Sequence, residues 1–151
     1  MFCEIIHIIS TNNVCFLYFA VEIDALKNYK NEMRIEQHNV NDTIVAEVIS
    51  DSIIIHSIED GLNLLGDLYY QGFDKMIVHE ENITPDFFDL KTGIAGEILQ
   101  KFSNYRVRLA IVGYFAKYTG RSINDFIYES NKGRQVVFVS SVTEGLSILS
   151  R

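Results

Sequence analysis

The sequence predicts an α/β fold: a mixed, largely parallel sheet with helices, in the order β-β-α-β-α-β-α-β-α from residue 43. Three observations predict it. Short β-branched or apolar runs, such as Thr43–Ile49, Met76–Val78 and Gln135–Val139, alternate with stretches of helical period. Cap and turn residues punctuate the alternation at Ser57, Gly72, Ser122, Gly133 and Ser141. The run Tyr105–Gly113 ends apolar on both faces, as expected of an inner strand in a largely parallel sheet.

In chain order, Thr43–Ile49 and Ser52–His56 read as a hairpin joined by Ser50-Asp51. Ser57 caps a helix, with Asp60 closing a variant capping box and Ile58, Leu62, Leu65 and Tyr69 as its apolar stripe. Gly72 ends that helix, and Phe73–His79 is the next strand. The longest helix is expected to start at Thr84 as N-cap, with Pro85 in the first helical position and Asp86 near the positive end of the dipole. Phe87, Leu90, Ile94, Ile98 and Phe102 form its stripe, while Gly93 and Gly96 suggest close contact with a neighbouring element. After the strand Tyr105–Gly113, Ser122 and Asp125 open a helix that turns Ile123, Phe126, Ile127 and Ser130 inward. Asn131-Lys132-Gly133 reads as its C-cap. Gln135–Val139 is the last strand, and Ser141 with Glu144 is a full capping box for a short final helix.

A chain of 151 residues, 48% apolar and 22% charged, suits one soluble domain with a sizeable core. Residues 1–32 lack the turn and cap chemistry found later. They are expected to be an N-terminal extension whose order the residues do not define, before a single α/β domain over residues 33–151. Either they are an added element or Met33 is the natural start, the second being favoured. Cys3 and Cys15 are too few for a disulfide framework or a four-cysteine zinc site and are read as reduced thiols. Ser10–Asn13 interrupts the early apolar runs, no Lys or Arg precedes Lys27, and no run approaches the ~20 residues of a membrane span. A cytoplasmic protein is expected, with no membrane partner. Thirteen basic against twenty acidic residues, a net charge of −7, argue against nucleic acid.

Loops after the carboxyl ends of parallel strands gather on one edge, where ligands usually bind. The candidates there are His79, Glu80, Glu81, Thr84, Asp86, Asp89, Tyr114, Lys117, Tyr118, Arg121 and Ser122. The acidic members could ligate a divalent metal or act as acid and base. A His-Glu pair in an extended strand points opposite ways, however, so a solvated acidic rim is the preferred reading. No catalytic residue, metal site or cofactor is assigned. Tyr70 and Phe88 fall beside the main stripes and are candidate surface anchors.

The residues Tyr70–Asp74, His79-Glu80, Ile83–Glu97 and Asp125–Gly133 carry a resemblance. From about Arg34 to the end, the chain resembles a bacterial family of small proteins catalogued as domain of unknown function 4180. That resemblance implies no activity. Such proteins often carry an acidic residue where this chain has Tyr114, so no role is carried over to that position. More distantly, the element order is similar to STAS domains, the fold of anti-anti-sigma factors. Those carry a phosphorylatable serine before the helix that follows the middle strand. Asn82–Asp89 has no serine and Thr84 is its sole hydroxyl, so the phospho-switch is not carried over.

Two functions remain from these residues. The first is a non-enzymatic, STAS-like binding or regulatory module that meets a protein partner, or a second copy of itself, through the His79–Asp89 edge. The second is a small-molecule or anion-binding protein, enzymatic or not, using a crevice near Thr84, Lys117 and Ser122.

Overall fold

The computed structural model describes residues 33–151. The readings placed on residues 1–32, including both cysteines, lie outside the described residues. Strands β1 (Met33–Val40) and β2 (Thr43–Ser50) lead into helix α1 (Ile58–Tyr70), strand β3 (Lys75–His79) and helix α2 (Ile94–Asn104). Strand β4 (Arg108–Val112), helix α3 (Arg121–Gly133), strand β5 (Val136–Val139) and helix α4 (Val142–Leu149) complete the chain. The five strands lie in sequence order, β1-β2-β3-β4-β5. The pairings β2–β3, β3–β4 and β4–β5 are all parallel, so the mixed, mainly parallel α/β sheet is confirmed.

The antiparallel start differs from the expected one. The hairpin is β1–β2, turned by Asn41 and Asp42, which both adopt positive φ (49° and 60°). A two-residue turn left-handed at both positions matches strand twist, and Asn and Asp tolerate it better than other non-glycine residues. Ser52–His56 is not the second hairpin strand. It is an extended connection that touches the sheet layer through one parallel bridge, Ile55 to Ile83.

Each crossover advances one strand in the same direction, and right-handed crossovers then place α1, α2 and α3 on one face. Period-two alternation assigns Met76, Val78, Leu109, Ile111, Val136 and Phe138 to that face. Val45, Ile77, Ala110, Val137 and Val139 occupy the opposite face and pack with Leu149 of α4. Gly145 brings α4 close to the sheet: a methyl group there would sit 3.3 Å from Ala110 Cβ. Among the described residues no helix is long and apolar enough to cross a membrane.

The capping box of α1 forms as expected, with Ser57 Oγ accepting from the Asp60 N–H and Asp60 Oδ2 accepting from the Ser57 N–H. Its buried face is Gly61, Leu64, Leu65 and Leu68, rotated from the expected stripe; Tyr69 is 45% exposed. Gly61 explains the rotation, because α2 seats Ile98 against it: a Cβ at Gly61 would lie 2.6 Å from Ile98 Cδ1.

The long helix expected from Thr84 is instead two single 3₁₀ turns, Pro85–Phe87 and Leu90–Thr92, followed by α2 from Ile94. Gly93 breaks the run with φ 77°. Gly96, expected at a close contact, is exposed, and beyond the backbone of its own helix nothing lies within 4 Å of where its Cβ would be. Arg106 leaves the predicted strand for a left-handed turn, at φ 57°. The N-cap of α3 is Gly120 rather than Ser122, and the left-handed residue at its end is Arg134, one position after the expected Gly133. In the final cap Ser141 Oγ accepts from the Glu144 N–H, but the Glu144 carboxylate turns to the N–H and Oγ of Ser140.

The glycine contrast is measurable. Gly61→Leu should lower unfolding free energy by ~1–3 kcal/mol through overpacking against Ile98. Gly96→Ala should raise it by up to ~1 kcal/mol, since only helix propensity changes there. Urea denaturation of the two variants and the parent decides. A Gly61→Leu protein as stable as its parent would mean that α1 and α2 separate at little cost.

Candidate functional site

The carboxyl edge of the sheet is built around Glu80, the first residue after β3. Its side chain is buried, 8% exposed, where a solvated rim charge was expected. The loop after β4 supplies what the carboxylate needs. Glu80 Oε2 accepts from the Tyr114 N–H at 3.0 Å, and Oε1 accepts from the Tyr118 hydroxyl at 2.6 Å. The Lys117 ammonium pairs with Oε1 at 2.6 Å. A desolvated carboxylate is tolerated because a cation and two donors replace its water. Gly113 makes room for it, since a Cβ there would run into the Glu80 side chain.

Aromatic packing seals the same junction. Phe88 stacks on Tyr118 at 4.9 Å, Phe115 meets Phe138 of β5 edge-on at 5.2 Å, and Phe126 of α3 meets Phe138 at 5.9 Å. Phe88, expected as a surface anchor, is therefore buried, whereas Tyr70 is 91% exposed. Burial, the hydrogen bond to Glu80 and the Glu80 charge, in that order, raise the Tyr118 hydroxyl above the ordinary tyrosine range.

Asn82 ties in the loop after β2. Its Nδ2 donates to Ser50 O and Ser52 O, both at 2.8 Å, while its backbone C=O accepts from the N–H groups of Ile54 and Ile55. Thr84 adds an N–H bond to Ile55 O at 2.8 Å, but its side chain makes no cap bond. The hydroxyl that organises the loop is that of Thr92, which donates to Asp86 O and Asp89 O.

His79 belongs to a second cluster, on the α4 face. Its Nε2 lies 2.7 Å from Glu47 Oε1, and His38 Nε2 lies 2.6 Å from Glu47 Oε2. Glu47 is 6% exposed, so one buried carboxylate joins three adjacent strands through two imidazoles. Sequence reasoning missed both Glu47 and His38. The signal was present: Glu47 is the one charge inside the apolar run Ile44–Ile49.

Of the predicted edge residues, the structure thus brings together Glu80, Tyr114, Lys117 and Tyr118. It separates His79, which faces Glu47. Glu81, Asp86 and Asp89 are exposed, and Asp89 caps its own 3₁₀ turn through the Lys91 N–H. Arg121 and Ser122 are exposed on the first turn of α3, Arg121 loosely paired with Asp125 at 3.6 Å. No group of three or more His, Cys, Asp and Glu side chains among the described residues is arranged to hold a metal ion.

Because the folded state raises the Tyr118 pKa, Tyr118 supports stability below the ordinary tyrosine value of ~10, and that support is lost as pH rises beyond it. Tyr118→Phe should cost ~1–3 kcal/mol at neutral pH, the worth of a hydrogen bond to a charged acceptor. Its stability should then fall less steeply than the parent's between pH 9 and about 11.5. Parallel alkaline slopes in chemical denaturation would remove Tyr118 from the linkage. Thr84→Ala, by contrast, should change stability by no more than ~0.5 kcal/mol, as its side chain caps nothing. A loss near 1 kcal/mol would restore it as an N-cap.

The family described as Domain of unknown function (DUF4180) matches residues 40–149. The match spans β2 to α4 and takes in Glu47 and Glu80, the buried carboxylates among the described residues, while His38 lies before it. No curated protein and no solved structure matches the chain. With most of its length covered by the match, the chain belongs to the DUF4180 family.

Proposed function

We propose that this chain is a non-enzymatic binding module of a regulatory kind, STAS-like in its order of elements, that meets a protein partner through the loop after β3. The observation that carries the reading is the state of Glu80. Its carboxylate is spent inside the fold on Tyr114, Lys117 and Tyr118, which makes it a fastener of the edge rather than a group free for acid–base chemistry. What the fastened loop presents outward is acidic: Glu81, Asp86 and Asp89 are exposed. A loop held in one conformation loses little entropy on binding, and a negative rim complements a basic patch on a partner. A cytoplasmic setting belongs to the same proposal.

A small-molecule or anion crevice near Thr84, Lys117 and Ser122 has less support. Lys117, its nearest cation, is already neutralised by Glu80. His79 turns to the α4 face, while Tyr118 packs through Phe88 and Phe115 toward the face that carries Phe138. The sheet runs between them.

Charge reversal at the two exposed positions Glu81→Lys and Asp86→Lys tests the proposal without touching the buried carboxylate. Capture of a partner from host lysate should fall several-fold at low ionic strength. The difference should narrow at high salt, where exposed charges beyond ~3–8 Å are screened. Equal recovery by parent and variant at both salt concentrations would remove this loop from the interface.

A further inference from the structure

Strand β5 ends the sheet among the described residues, and its outer edge is closed in an unusual way. Gln135 O and Val139 O accept from the β4 side, from the Leu109 and Gly113 N–H groups. Alternation along the strand therefore turns the backbone groups of Val136 and Phe138 outward. The pair on Phe138 is taken by a single side chain. Asn131, in the last turn of α3, accepts from the Phe138 N–H with Oδ1 at 2.7 Å and donates to Phe138 O with Nδ2 at 3.2 Å. That is the pair of bonds a residue of a neighbouring strand would make.

We propose that Asn131 is a built-in strand substitute that keeps the β5 edge shut, and that the partner this edge fits is the β5 edge of a second copy of the chain. Val136–Val139 is Val-Val-Phe-Val, apolar on both faces and rich in β-branched side chains, the composition that edge strands usually avoid because it recruits other strands. Charge favours a second copy over an unrelated strand. Arg134 precedes β5 and Glu144 follows it, and both line the same crevice of about 240 Å³ beside the edge, with Arg151. Two β5 strands related by a two-fold axis run antiparallel. The arginine end of one then lies beside the glutamate end of the other, and both such contacts form at once. The Asn131 amide covers the Phe138 pair of this edge, and a partner backbone can replace it bond for bond. This surface lies apart from the acidic loop after β3, so it stands or falls independently of the proposed binding role.

The test is sedimentation equilibrium of the full chain between about 1 and 200 μM, for the parent, Asn131→Ala and Asn131→Asp. Asn131→Asp keeps the acceptor for the Phe138 N–H and loses the donor, so it retains one of the two bonds and is the second variant should Asn131→Ala not fold. The parent is expected to be monomeric. At least one folded variant is expected to form a discrete dimer, with a dissociation constant at least tenfold below the parent's. Adding Arg134→Glu to that variant should weaken the dimer at low salt. Monomers in every variant that folds would overturn the proposal, as would a dimer equally tight in the parent. Open-ended aggregation without a discrete dimer would overturn the choice of a second β5 as occupant. Loss of the folded circular-dichroism spectrum in both variants would make Asn131 a folding element rather than a gate, and would overturn it too.

Discussion

The desolvation of one carboxylate organises the carboxyl edge of this domain. Glu80 leaves β3 pointing into the protein, and a buried charge of that kind is tolerated only when cation and donors surround it. They come from residues more than thirty positions away, so the loop after β4 is drawn over the loop after β3. Gly113 is small because the Glu80 side chain occupies the space beside it. Phe88, Phe115 and Tyr118 close over the junction and carry the packing on to Phe138 and α3. With Asn82 holding the loop after β2 in the same layer, three successive loops behave as one surface.

The other buried carboxylate solves a different problem. A hairpin strand such as β1 reaches the parallel sheet only through β2. Glu47 adds a polar tie across that seam, from His38 on β1 to His79 on β3. Each carboxylate oxygen takes one imidazole, which satisfies a charge otherwise costly on a face shared with Val45 and Ile77. The adjacent residues His79 and Glu80 thus serve two faces of the sheet. The dipeptide is a branching point between two networks, which is why it does not assemble one acid–base pair.

Polar groups also finish the ends of the sheet. Arg108, at the start of β4, donates to the backbone oxygens of Arg134, Ile148 and Leu149, and so satisfies the last carbonyls of α4. Gln135 returns a bond to Val107 O. Asn131 does the corresponding work on the outer side of β5. In each case a long or branched polar side chain stands in for a missing strand or helix turn.

What the sequence by itself determined was the class of the fold and the order of its elements after the opening hairpin, because both depend on local, repeated signals. β-branched runs, the reciprocal Ser57–Asp60 cap and the left-handed Gly72 are legible residue by residue, and so is the resemblance carried by Ile83–Glu97. Element boundaries failed where two local signals compete. Thr84-Pro85-Asp86 has the chemistry of a helix start, yet Gly93 and the backbone bond to Ile55 divide the segment into two 3₁₀ turns before α2. Only the tertiary structure decided the roles of the charged residues. Glu80 and Glu81 are neighbours of the same chemical type, and one is buried while the other meets solvent. The difference lies in Tyr114, Lys117 and Tyr118, whose approach no spacing in the sequence encodes. Glu47 and His38 went unread, and Asn131 was read only as part of a helix C-cap, for the same reason: a side chain acquires its role from partners that only the folded sheet brings within three ångströms or so.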